Sequence, residues 1–104
     1  MGLIEELSPN LNGKQRRHLC GLGHGLNPVV MVGQNGIGEN LIDNTRSALL
    51  SHELIKVKIH DKDAVEESAR LLHNATGAAV VQWLGKTILM YQRNPDEPKI
   101  RLPR

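Results

Sequence analysis

The four consecutive residues Gly33-Gln34-Asn35-Gly36 have the clearest chemical potential in the chain. They follow the apolar run Val29-Val30-Met31-Val32 and precede a segment with helical spacing. Glycine permits unusual backbone angles and leaves N–H groups accessible. A helix N-terminus adds unpaired N–H groups and the positive end of the dipole. Together they make a seat for a phosphate. A tight strand-to-helix turn without a ligand has the same pattern, and Glu39 in the first helical turn favours that simpler reading. Lys14, Arg16, Arg17 and His18 shift the balance towards binding. Cations at a helix start oppose the macrodipole by about 0.3–1 kcal/mol each when exposed, and an anionic partner relieves that cost. On a helical wheel Lys14, Arg17 and His18 share a side with Gly21 and Gly25, well round from Leu19, Leu22 and Leu26. A glycine inside a helix costs about 1 kcal/mol relative to alanine. The two glycines suggest a close approach on this side, by a nucleic-acid backbone or by a neighbouring element of the fold; a simply solvated charged end is the remaining reading.

Further cations stand at Lys56, Lys58 and Lys86, and in the C-terminal stretch at Arg93, Lys99, Arg101 and Arg104. The acids Asp61, Asp63, Glu66 and Glu67 gather elsewhere, so the charge is segregated as an oriented electrostatic surface requires. Other chemistry fails on spacing. Gly85-Lys86-Thr87 resembles the end of a phosphate-binding P-loop, but Val80 stands where the first glycine is needed and a strand follows in place of a helix. His18 and Cys20 point about 160° apart on a helix and cannot readily share a metal ion. Cys20 with His24 supplies only two ligands, and Cys20 has no identifiable base partner. No catalytic residue, metal site, cofactor or small-molecule substrate is expected.

These residues must be positioned by one domain, since 104 residues suit a single modest core. Aromatics amount to Trp83 and Tyr91, so the core is aliphatic and base stacking on exposed rings is disfavoured. The net charge of +2 is mild. A single cysteine excludes an internal disulfide. No leader-like N-terminus and no apolar run near the roughly 18 residues that span a bilayer is seen. A monomeric cytoplasmic protein without membrane contact is the expectation.

Periodicity predicts a helix over 14–26, a strand over 29–32 covered on both sides, and a helix over 38–52 with the stripe Leu41, Ile42, Thr45, Ala48, Leu49. A strand follows over 54–60, with Ile55, Val57 and Ile59 on one face and Lys56, Lys58 and His60 on the other. A third helix begins near Asp63, with Asp63 and Glu66 as a capping pair, Val65, Ala69 and Leu72 buried, and Gly77 as its end. Strands over 78–84 and 87–91 are joined by Gly85-Lys86, a two-residue hairpin turn with glycine first. The order α-β-α-β-α-β-β gives an α/β domain with a mixed four-stranded sheet. Strands separated by helices are expected to pair in parallel, and the last hairpin to add an antiparallel strand. The domain is expected over 9–93, after a lead-in over 1–8 and before a basic, proline-containing tail over 94–104.

The run Leu11-x-Gly13-Lys14-Gln15-Arg16-Arg17-x-Leu19-x-Gly21-Leu22 resembles the opening helix of the YhbY family, the bacterial stand-alone form of the CRM (chloroplast RNA splicing and ribosome maturation) domain. Pro28 to Gly36, His52 to Lys58, Gly85-Lys86-Thr87 and the ending Lys99 to Arg104 fit as well, so the resemblance covers about residues 8 to 104. It implies a fold similar to the C-terminal domain of translation initiation factor three. It also implies an RNA-binding surface that includes the glycine loop, comparable to the loop of KH domains although there two helices are joined. Bacterial members are associated with precursors of the large ribosomal subunit. The loop falls on Gly33, Gln34, Asn35 and Gly36 and the basic surface on Lys14, Arg16 and Arg17. Gly38 stands where a Ser or Thr would be expected to cap the second helix, and glycine is an acceptable cap. The resemblance and the residues together imply a non-enzymatic protein that binds ribosomal RNA in pre-large-subunit particles, with Lys14, Arg16, Arg17, His18, Gly33, Gln34, Asn35, Gly36, Lys56, Lys58 and Lys86 as contacts. The alternatives are a double-stranded DNA binder and a protein-interaction module of similar build.

Overall fold

The computed structural model describes residues 2–104. Its elements are α1 (Leu3–Leu7), α2 (Gly13–Gly23), β1 (Pro28–Val32), α3 (Glu39–His52), β2 (Leu54–Ile59), α4 (Val65–Thr76), β3 (Ala79–Leu84) and β4 (Thr87–Tyr91). A short 3-10 turn, Lys62–Ala64, precedes α4. Asp61, not Asp63, accepts the N–H that starts this turn, and α4 has no side-chain cap. The 3-10 turn takes up Asp63, so the expected pair with Glu66 is not formed: Ala64 is the N-cap of α4 and Glu66 lies in its first turn.

The four strands form one mixed sheet in the order β1-β2-β4-β3. β1 and β2 are parallel, while β2–β4 and β4–β3 are antiparallel. The α4 crossover therefore does not bring β3 beside β2, as helix-separated strands were expected to pair; β4 stands between them. Burial explains the choice. Ile88, Leu89, Met90 and Tyr91 are all buried, as suits a central strand covered on both faces, whereas β3 ends in the exposed Trp83 and Leu84.

The two faces of the sheet differ. On one, Val30, Val32, Ile55, Val57, Ile59, Val80, Ile88 and Met90 pack against Leu49 of α3, Val65, Ala69 and Leu72 of α4, and Leu7 of α1. On the other, Leu54, Val81, Leu89 and Tyr91 pack against Leu19 of α2. α2 is too short to cover that whole face. Val29 and Met31 consequently stay 53% and 66% exposed, and β1 is covered on one side only, contrary to the two-sided burial its apolar run implied. Leu22, in the last turn of α2, and Leu26, beyond the helix end at Gly23, are likewise exposed, and the helix does not continue to 26.

Packing does not stop at the expected domain limits. The lead-in forms α1, tied to α4 by Arg70, whose Nη1 and Nη2 reach the two Glu6 carboxylate oxygens at 3.0 and 3.1 Å. The tail lies along the second core through Ile100 and Leu102. It is held there by Glu53, a fully buried carboxylate that accepts the backbone N–H groups of Asn94, Lys99 and Ile100, each at 2.7 Å. Burial raises the Glu53 pKa, but these donors and the Lys99 charge outweigh it and hold the carboxyl below its usual range.

Candidate nucleic-acid interface

The glycine loop is a turn closed by the Gly36 N–H on the Gly33 carbonyl at 3.1 Å. Within it only Gly36 requires glycine for its backbone, with φ +81°. Gly33 has no such angle, and a Cβ built there would meet nothing within 4 Å. The loop feeds into Gly38, the N-cap of α3, whose backbone is extended and offers no side-chain cap. The first N–H groups of α3 are left to solvent at this end. Gly33 lines a concavity of about 330 Å³ with Met31, Lys58, His60 and Lys86. Three of these are basic side chains, and none of them takes part in an ion pair or side-chain hydrogen bond among the described residues.

The alternation predicted for β2 puts Lys56 and Lys58 on the face that α2 leaves open. Lys58 stands between Met31 and Thr87 in the strand register, and Lys56 between Pro28 and Leu89. Lys56 lines a groove of about 190 Å³ with His24, Pro28, Gln82, Leu84 and Thr87. His24, the residue after the last turn of α2, also lines a third concavity with Gly13, Arg16, Arg17, Cys20 and Gly21. The three depressions adjoin: His24 joins the last two, and the neighbours Thr87, Lys58 and Lys86 join the first two. One face thus carries a track from Arg17 through His24, Lys56 and Lys58 to Lys86 and Gly33.

The expected residues do not form one cluster. The basic turn of α2 lies toward β3 and the glycine loop follows β1, at opposite edges of the sheet. Arg16 is not free: its Nη1 donates to the Leu11 carbonyl at 2.6 Å and reaches the Ser8 hydroxyl at 3.3 Å. It fastens the α1–α2 connection, so its place in the first helical turn has a structural reason. The N-terminus of α2 is satisfied independently by a capping box of Asn12 and Gln15. Lys14, Arg17 and His18 are exposed and unpaired among the described residues. Gln34 and Asn35 are exposed at the loop tip. Met31, His24, His60 and Gln82 were missed by sequence reasoning; for His60 the signal was present, since it continues the alternation of Lys56 and Lys58.

The glycines of α2 divide. Gly23 is buried, and a Cβ there would lie 2.8 Å from a methyl of Leu89. Gly21 faces open space and lines the track. Gly21→Ala should therefore raise stability by about 0.5–1 kcal/mol through helix propensity. Gly23→Ala should lower it by about 1–3 kcal/mol through overpacking. Denaturant unfolding of the two variants measures both, and equal effects would contradict the packing described. Cys20 is half-buried and its Sγ donates to the Val81 carbonyl, and burial pushes its thiol pKa up.

The CRS1/YhbY (CRM) domain family model matches residues 11–92. The chain belongs to that family. A relative from Haemophilus influenzae named "RNA-binding protein" is 46% identical over 98 residues, spanning 90% of this chain and 96% of the relative. "Probable RNA-binding protein YqeI" of Bacillus subtilis is 36% identical over 98 residues, spanning 89% and 99%. The solution structure of SAV1595 from Staphylococcus aureus superposes with a TM-score of 0.77 at 37% identity, over 89% of this chain and 99% of that one. This CRM match contains the glycine loop, α2 and all the cations of the track. α1 and the three residues whose N–H groups the Glu53 carboxylate accepts lie outside it.

Proposed function

We propose that this CRM protein binds RNA along the track from Arg17 to the glycine loop, and that its target is ribosomal RNA in precursors of the large subunit. The observation that carries this reading is the set of unpaired cations on one open face of the sheet, ending at a glycine turn and an uncapped helix start. Such groups hold successive phosphates: the loop and the α3 N-terminus take one, and Lys58, Lys86, Lys56 and Arg17 take its neighbours. Lys14 and His18 extend the basic surface from the exposed side of α2. Contacts to phosphates fix position without reading sequence. The names of the relatives point to the same ligand class.

Affinity for a structured ribosomal RNA fragment, measured across a salt series, tests the track. Each phosphate contact contributes a little under one unit to the slope of log K against log salt, about 0.7–0.9. Changing Lys56, Lys58 and Lys86 together to alanine should flatten the slope by about two to three units. Changing Lys62, which lies outside the track, should leave it alone. Equal slopes in the two variants would remove the sheet face from the interface. Competition with duplex DNA at matched salt separates RNA from DNA as ligand. Sedimentation of the tagged protein through a ribosome gradient reports the assembly role, which predicts co-migration with large-subunit precursors.

A further inference from the structure

The groove midway along the track is built differently from the rest. Strand β3 carries a bulge between Val80 and Gln82. Strict alternation would send Val81 and Gln82 to opposite faces. The bulge sets both on the α2 face, with Val81 in the second core and Gln82 in the groove opposite Leu89. Bulges commonly re-aim one side chain in this way. The Gln82 amide makes no hydrogen bond among the described residues, although the side chain is half-buried. Lys56 is half-buried beside it and also unpaired, and the exposed His24 lines the same groove, its ring making no hydrogen bond among the described residues. The floor is the Leu89 side chain beside the backbone of Ile88, whose own side chain points to the other face, with Leu84 at the rim.

An apolar floor with a few convergent polar groups is the composition of a ligand pocket. Its volume of about 190 Å³ is below the range of roughly 300–1,000 Å³ for drug-sized ligands, so it suits one flat group. We infer that this groove takes a single unpaired RNA base, turned in from a backbone that follows the cations on either side. His24 covers the ring face, as imidazoles do in RNA recognition. The Gln82 amide, with two donors and an acceptor, pairs with the base edge. Lys56 meets the adjoining phosphate. This rests on the RNA reading of the track and adds to it a point of readout: the protein distinguishes an extruded nucleotide from a continuous duplex.

The probes are hairpin RNAs of one stem sequence: fully paired, carrying a one-nucleotide bulge of each of the four bases in turn, or carrying an abasic bulge. At least one bulged base should bind wild type roughly tenfold more tightly than the paired and abasic hairpins, the scale of one stacked, hydrogen-bonded base. Gln82→Ala should remove most of that preference and keep the affinity for the paired hairpin; His24→Ala, a change within the track itself, should lower the ratio of bulged to paired affinity to near one. Both positions are partly or fully exposed, and thermal melts confirm folding. If no base is preferred while all hairpins bind with a steep salt dependence, the groove proposal falls and the track stands. If none of the hairpins binds wild type at low salt, both fall. A preference that survives in both variants also overturns the assignment of the base to this groove.

Discussion

Glu53→Ala is expected to lower the unfolding free energy by about 3 kcal/mol, the largest stability effect foreseen for any single side chain outside the apolar core. Hydrogen bonds to a charged group contribute about 1.5–3 kcal/mol each, and they are not additive when they share one acceptor. Removing this acceptor leaves the N–H groups of Asn94, Lys99 and Ile100 without a partner and frees the segment that seats Ile100 and Leu102 on the second core. For a domain near this size the loss corresponds to a fall in melting temperature of roughly 10–20 °C. Glu53→Gln keeps one carbonyl oxygen but turns an NH2 toward backbone donors, so it should fall between. The pH dependence has a definite sign. The folded pKa lies below the unfolded one, so the contribution is complete above the usual carboxylate range and is lost as pH falls through the depressed folded value. The stability gap between wild type and Glu53→Gln, followed by denaturant unfolding from neutral pH into acid, should narrow. A gap that stays constant would show that the ionised carboxylate is not what holds the tail.

Nothing in the local sequence marks Glu53. It sits between the end of α3 and the start of β2 and reads as one more polar connector. Its partners stand 41, 46 and 47 residues away, so only the folded chain reveals them. Its φ of +61° is equally hidden, since a residue other than glycine in that region gives no sequence signal. Arg16 is the same kind of case. In the sequence it is indistinguishable from Lys14 and Arg17, and what separates it is contact with Ser8 and the Leu11 carbonyl. By contrast, local rules made much of the fold readable. The period of β2 assigned both of its faces, Gly77 ended α4 with φ +78°, and Gly85 opened the hairpin with φ +62°. What periodicity could not convey was how far a short helix reaches across a sheet. That length decides that Met31 and Val29 are exposed, and hence that the cations of β2 stand on an open platform.

Gly33→Asp is expected to weaken RNA binding by tenfold or more while leaving the melting temperature within a degree or two. The structural half follows from the loop geometry: the position has no positive φ, and an added side chain meets nothing within 4 Å. The functional half follows from charge. A carboxylate beside the proposed phosphate seat opposes the ligand directly, and like charges brought together at an interface cost several kcal/mol. Gly36→Ala is the counterpart. Its φ of +81° makes any side chain strained, with a loss of about 1–2 kcal/mol in stability, yet it adds no charge. The pair separates two reasons for glycine in one turn. If the loop served folding alone, Gly36→Ala would be the only damaging change and Gly33→Asp would bind RNA like wild type. If the loop receives a phosphate, Gly33→Asp is the more damaging for binding and the less damaging for stability. Filter binding and thermal unfolding on the same two preparations decide between these outcomes. Gly33→Ala refines the result, because an uncharged methyl that costs no stability and still reduces affinity shows that the RNA backbone comes within contact distance of the Gly33 α-carbon.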